Sequence, residues 1–270
     1  MESKAVECNL CNSNNSEVLQ EIKPYKIVKC KNCQLIYLNP QPLSEDITKT
    51  YTADYYATNW GQGLVENKYR LRTVERFKKR GKLLDVGCGI GVFLGLARKN
   101  GWQVAGTELS EFSAKYIRDK LNIECFPGRL EDLESASGSY DVITLWHVIE
   151  HIPEPLEVLK RAWELLSRGG MIFLATPNQN FWRIARDVKR RMGVNRDLVE
   201  NEKHLYFFTP HSLKKMLERA GFKIIETGVD FNKCKPKLEH FLKYYWFSFV
   251  SRVLGVNCSK AMLMVGQKGN

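Results

Sequence analysis

Three groups of residues in this chain have the types and spacing that chemistry requires. The first is Cys8-Asn-Leu-Cys11 with Cys30-Lys-Asn-Cys33, two C-x2-C pairs separated by 18 residues. Each pair sets two sulfurs on one side of a turn, and together they complete a tetrahedron around a structural Zn²⁺. Four thiolates leave no open coordination position, so such a metal stabilises and does not catalyse. Knuckle turns favour glycine after the second cysteine, whereas Asn12 and Gln34 stand there; asparagine accepts a positive φ more readily than glutamine. The second group is Asp85-Val-Gly-Cys-Gly-Ile-Gly91, an acid followed by three glycines at alternate positions, with Glu108 lying 23 residues beyond the acid. The third is His147-Val-Ile-Glu-His151, followed by Pro153 and Pro155, with His204 later in the chain. Its order is not His-Glu-x-x-His and it straddles a strand-end turn, so a hydrolytic zinc is not expected there.

The elements around these groups read as alternating strands and helices. Leu83, Leu84 and Val86 form the short apolar run of a buried parallel strand, and Val92 to Lys99 reads as a helix. A strand, a glycine turn and a helix make a nucleotide-binding start, because missing Cβ atoms let the backbone approach a ligand closely. The dinucleotide pattern G-x-G-x-x-G is not met, since Val92 or Leu94 stands where its last glycine belongs. Asp85 at the strand end suits a ligand carrying a cation better than it suits a pyrophosphate. S-adenosylmethionine, with an ammonium group, a sulfonium and no phosphate, has that chemistry. Gln103 to Glu108 is the second strand, and Glu108 at its end can accept both ribose hydroxyls. Ser110 then caps a helix through Lys120. Further strands are expected at Asn122–Phe126, Tyr140–Trp146, Met171–Thr176, Phe222–Thr227 and Ala261–Val265. Helices are expected at Leu43–Ala57, Val65–Lys79, Leu156–Ser167 and Pro210–Ala220. The class is α/β.

Asp85-Val-Gly-Cys-Gly-Ile-Gly91 resembles the first motif of class I S-adenosylmethionine-dependent methyltransferases, and the likeness runs from about Tyr51 to the last residue. It implies a Rossmann-like, seven-stranded, mostly parallel sheet whose last strand is antiparallel. Residues 1–42 would be a zinc-ribbon-like module, 43–80 a helical lid and linker, and 81–270 the methyltransferase domain, with a basic helical insertion at about 177–203. The resemblance implies cofactor contacts from Asp85, Gly87, Cys88, Gly89, Gly91, Glu108 and Leu109, from Trp146 at the end of strand four, and from Tyr55 and Tyr56 in the lid. Arg129 occupies the place where related enzymes often carry an adenine-binding acid, which leaves adenine to the backbone near Leu130 or to Glu131. The Glu-His before a proline turn, and the segment Glu202 to Pro210, bring forward His151, His204 and His147, in that order, as the base for a hydroxyl acceptor. Neither Asn-Pro-Pro-Tyr nor Asp-Pro-Pro-Tyr, which would mark methylation of an exocyclic or amide nitrogen, follows strand four. The implied activity is methyl transfer to a small molecule, at a hydroxyl of a glycan, nucleotide-sugar, lipid-linked or quinone-like acceptor. Two alternatives stand beside it: ribosomal RNA base methylation with the zinc module holding RNA, and a non-catalytic domain that binds the cofactor or a partner.

Composition bounds these readings. Hydrophobic residues make up 44% of the 270 residues and charged residues 26%, as in ordinary globular proteins. No basic start followed by an apolar run opens the chain, so no signal peptide is expected and the location reads as cytoplasmic. Eight cysteines in that setting point to metal binding or plain burial, not disulfides. The net charge of +11 favours an anionic partner without choosing among phosphorylated small molecules, lipid surfaces and RNA. Two segments fit peripheral contact with an inner membrane surface: a basic helix at 181–192 and an aromatic helix at 238–254. Tyr244 to Val250 is too short to span a bilayer.

Overall fold

The structure, a computed structural model, describes residues 2–43, 63–184, 204–230 and 259–269. The expected helix at Leu43–Ala57 with Tyr55 and Tyr56, most of the basic helix at 181–192, and the aromatic helix at 238–254 lie outside the described residues.

The first strands are β1 (Ser3–Lys4), β2 (Ser16–Ile22), β3 (Tyr25–Cys30), β4 (Ile36–Asn39) and β5 (Gln41–Pro42). Helix α1 (Leu64–Phe77) leads into β6 (Lys82–Val86), α2 (Val92–Lys99), β7 (Gln103–Glu108), α3 (Glu111–Leu121) and β8 (Glu124–Pro127). After a 3-10 turn at Leu130–Asp132 come β9 (Tyr140–Trp146), a second 3-10 turn at Ile149–His151, α4 (Pro155–Leu165) and β10 (Leu166–Pro177). The chain closes with β11 (Tyr206–Phe207), α5 (Pro210–Arg219), β12 (Phe222–Val229) and β13 (Ala261–Lys268).

Seven strands form one sheet in the order β12-β13-β10-β9-β6-β7-β8. β13 runs antiparallel to both β10 and β12, while β10, β9, β6, β7 and β8 are parallel. The strand order reverses between β6 and β9, and such a switch point opens a crevice at the carboxyl ends of the strands. The ends of β6, β7 and β9 carry Asp85, Glu108 and Trp146, so the sheet delivers all three to that edge.

Where boundaries differ from the sequence expectations, local chemistry explains it. The third strand begins at Glu124, two residues late, because Asn122 takes the left-handed conformation at the C-cap of α3. Helix α4 stops at Leu165, before Arg168-Gly-Gly170, and β10 begins at once. Its pairing with β9 jumps from Leu166↔Tyr140 to Met171↔Val142, and Gly169 at φ +71 lies inside the jump. β13 extends to Lys268, since a strand paired on both sides keeps its ladder over its whole length.

The N-terminal module is joined to this body by backbone and by core. β2, β3 and β4 make an antiparallel sheet, and its fourth strand is β11, donated by Tyr206–Phe207 from far along the chain. Tyr206 pairs with Tyr37 and Phe207 with Ile36. Cys8, Leu10, Leu35 and Tyr37 belong to the same buried cluster as Leu156, Leu213 and Met264. Among the described residues no helix is long and apolar enough to cross a membrane.

Candidate active site

The glycine turn after β6 adopts a shape that only glycine adopts easily: Gly87, Gly89 and Gly91 have φ of +66, +57 and +77. A Cβ on Gly87 would sit 2.7 Å from Val148 Cγ2, so the turn and the segment after β9 pack as closely as backbone permits. Gly89 N–H donates to Glu108 Oε2 at 2.8 Å, and Ser110 N–H donates to Oε1 at 3.0 Å. The carboxylate of Glu108 is thus buried and aimed by backbone on both oxygens. The Cys88 side chain points into the core against Cys125, 3.7 Å between sulfurs, which leaves its backbone at the turn.

Asp85 lies 3% exposed and accepts the Thr144 hydroxyl at 2.6 Å. Burial raises its carboxyl to about 7, against the Thr144 hydrogen bond and the nearby Arg70 charge. The Trp146 ring packs edge-on against Phe93 with centroids 5.5 Å apart, and the Arg70 guanidinium lies 5.1 Å above it. Among the described residues the buried Trp146 indole Nε1 meets no hydrogen-bond partner. It borders a small recess lined by Tyr69, Arg70, Thr73 and Asp230. A recess edged by an unpaired donor, an arginine and a buried acid suits the zwitterionic end of an amino-acid-like ligand. Leu109 is half-buried; Leu130 is buried in the core, which leaves its backbone to the loop, and Glu131 beside it is exposed.

The three histidines divide into two environments. His147, at φ +59, turns back from the end of β9, and its Nε2–H donates to Asp230 Oδ2 at 2.8 Å. Arg70 bridges the same carboxylate through Nη2 at 2.8 Å and Nε at 3.2 Å. Despite burial, the hydrogen bonds to Asp230 and Glu150 raise the His147 imidazole and favour its charged form. Burial also opposes ionisation of Asp230, yet Arg70 and His147 hold it well below the usual carboxylate range. His151 and His204 instead face each other, with ring centroids 4.8 Å apart. Burial lowers His204 to about 4, so its imidazole is neutral at physiological pH. The buried Glu150 accepts the Thr176 hydroxyl at 2.9 Å through Oε2, and its Oε1 lies 3.6 Å from His147 Nδ1. Against burial, His147 and the neighbouring imidazoles hold Glu150 down to about 2. Glu150, His151 and His204 each place one ligand-type atom within 4.8 Å of the others. Such a group presents proton-accepting atoms close together, or can grip a divalent cation.

Sequence reasoning did not single out Arg70, Thr144, Asp230 or, as a buried charge, Glu150. Only for Glu150 was a local signal present, since Glu-His before a proline turn had been noted for its histidine.

The four cysteines come together. Cys8 and Cys33 sulfurs lie 3.3 Å apart, Cys11 and Cys30 3.5 Å, and all four fall within 4.8 Å of one another. Tetrahedral zinc with Zn–S of about 2.3 Å needs sulfurs about 3.8 Å apart, so the donor set fits. Burial pushes the Cys8 thiol well up and Cys33 to about 11, whereas backbone N–H groups of Cys33 and Asn32 outweigh burial and draw Cys30 to about 7. Both Asn12 and Gln34 take left-handed φ, +56 and +68, so the knuckle shape is kept without glycine.

Comparison with known proteins agrees with this geometry. A family profile described as a methyltransferase domain matches residues 60–227. The ubiquinone biosynthesis O-methyltransferase of Coxiella burnetii is 28% identical over 183 residues, 64% of this chain and 78% of that protein. The enzyme of the same name from Idiomarina loihiensis is 30% identical over 165 residues, 57% of this chain and 67% of that one. Among solved structures, a SAM-dependent methyltransferase from Archaeoglobus fulgidus superposes with a TM-score of 0.56 at 20% identity, covering 79% of this chain and 99% of that one.

Proposed function

This chain belongs to the methyltransferase-domain family of S-adenosylmethionine-dependent enzymes, and from that premise we propose that it methylates a hydroxyl of a small, quinone-like acceptor. The observation that carries the hydroxyl reading is the His151–His204 pair, close-set beside a buried acid at the strand-end edge. The named activity of the relatives, O-methylation in ubiquinone biosynthesis, supports the acceptor class.

Bound S-adenosylmethionine supplies an electrophilic methyl on a sulfonium. The chain's own part is placement and proton handling. Glu108 would receive the ribose hydroxyls, the 87–91 turn allows close backbone approach, and Asp85 with Arg70 and Trp146 would frame the methionyl end. Trp146, at the end of β9, would lie on the side of the site where the methyl is transferred. An acceptor oxygen held in line would take the methyl as the carbon–sulfur bond breaks, and the His151–His204 pair would receive the proton of that oxygen. Holding the two reactants in line supplies most of the acceleration. Cys8, Cys11, Cys30 and Cys33 would hold Zn²⁺ as a crosslink in the N-terminal module.

Two measurements check this reading. A cationic ligand beside Asp85 favours the carboxylate, so cofactor uptake should release a proton, and affinity should rise from roughly pH 6 to 8. Calorimetry in two buffers of unlike ionisation heat reads that proton, and Asp85→Asn should abolish it; equal heats for the unaltered protein would contradict the placement. The second measurement follows labelled methyl into fractionated cell extract. Label in lipid and small-molecule fractions is expected, and label confined to RNA would overturn the acceptor class.

A further inference from the structure

We propose that the four-cysteine module is a positioning element for the His151–His204 pair, acting through Asn9 and strand β4. Asn9 lies inside the first knuckle, between Cys8 and Cys11. Its Oδ1 accepts the Leu156 N–H at 3.0 Å. Leu156 is the second residue of α4, whose own N-cap residue Glu154 makes no side-chain cap. The helix that begins just after His151 is therefore capped from the cysteine module.

The second connection runs through Leu205. Its carbonyl accepts Leu38 N–H of the module at 2.8 Å, and its own N–H donates to the Glu150 carbonyl at 2.8 Å. One residue thus joins β4 to the 3-10 turn of His151, and that residue is the next neighbour of His204. β11 continues the connection as the edge strand on β4, and the Tyr206 hydroxyl donates to the Pro153 carbonyl at 2.7 Å. On the far side, the Arg219 guanidinium of α5 donates to the Leu10 carbonyl within the same knuckle. Every one of these connections meets the segments bearing His151 and His204 or the helices flanking them. The cofactor turn at 87–91 is carried by β6, β7 and β9, whose ladders involve no module residue, and it meets the neighbouring segment through the Val148 side chain.

The two halves of the site should therefore respond differently to the metal. A small module whose four clustered thiols would share one metal gains its folding energy from that metal, so stripping zinc loosens what the module holds. That is the acceptor side. The cofactor side keeps its own sheet.

The test is hydrogen exchange on the full-length protein before and after removing zinc with a chelator, then after restoring Zn²⁺. Amides at Ile149–Leu156 and Leu205–Phe208 should exchange at least about tenfold faster in the stripped protein and recover with Zn²⁺. Amides of β6 and β9, and the affinity for S-adenosylmethionine, should stay within about twofold. Unchanged exchange in the two segments would overturn the proposal. So would equal loosening of the whole sheet with loss of cofactor affinity, and so would an absence of bound zinc with no response to added Zn²⁺.

The variant Asn9→Ala tests the connection with all four cysteines intact. It should loosen Ile149–Leu156, keep its zinc, and lower kcat about tenfold with cofactor affinity unchanged, while Asn9→Asp, which can accept the same N–H, restores both. Full turnover together with undisturbed exchange in Asn9→Ala would refute the role of Asn9. The kinetic part rests on placing the acceptor at the His151–His204 pair, but the exchange readout does not. Loosened segments with turnover unchanged would therefore fault the site assignment and leave the coupling standing.

Discussion

Asp230→Ala should cost about 3–5 kcal/mol of folding stability, the usual effect of removing one partner of a buried ion pair. Arg70 and His147 both donate to this carboxylate, and its loss leaves the half-buried guanidinium and imidazole without that acceptor. At roughly 2–4 °C per kcal/mol for a chain of this size, the melting temperature should fall by roughly 6–20 °C. The deficit should depend on pH. Asp230 sits below its ordinary value in the folded state, so its contribution is present above about pH 4 and lost as pH falls. His147 sits above its ordinary value, so its share is full below about pH 6.5 and lost as pH rises through the raised folded value. The gap between the unaltered protein and Asp230→Ala should therefore be widest between about pH 4.5 and 6.5. Denaturant melts at three pH values would read it. A deficit under about 1 kcal/mol at every pH would mean that the network is not what orders the end of β9.

The second large effect concerns turnover. His204→Ala and His151→Ala should each lower kcat about 10²–10⁴-fold on a hydroxyl acceptor, the usual worth of a positioned proton acceptor. Affinity for S-adenosylmethionine should stay within about twofold in both, because neither imidazole belongs to the glycine turn or to β7. The double variant should be little worse than the weaker single, since the pair works as a unit. His147→Ala should behave differently, losing stability first, because its ring is tied to Asp230 and lies beside Glu150 in the buried network, apart from the His151–His204 pair. Turnover intact in all three variants would dispose of the proton-acceptor role.

What could be read from the sequence follows physical range. The turn Asp85 to Gly91 is legible because its backbone shape requires glycine at fixed local spacing, and that turn in context fixes the fold. Glu108 is legible for a similar reason, as an acid at the end of the next strand. The cysteine cage is legible because two knuckles advertise themselves by spacing alone, and the structure brings all four sulfurs together. The Arg70–Asp230–His147 network could not be read, because its members lie 160 and 83 residues apart and no local pattern links them. β11 escaped for another reason. Two residues carry no periodicity, and only the exposed edge of β4 makes them a strand. Asn9 looked like a spacer between cysteines, and its role as a cap depends on a helix start 147 residues away.

The measurement that tests the central claim most directly is methyl transfer by the purified, zinc-loaded protein to a defined ortho-dihydroxybenzene bearing a prenyl tail. Product mass spectrometry would locate the new methyl. One methyl on a ring oxygen, formed with one equivalent of S-adenosylhomocysteine and lost in His204→Ala, is the expected result. Cofactor bound tightly while no hydroxyl acceptor gains a methyl, or a methyl found on nitrogen or on RNA, would contradict it.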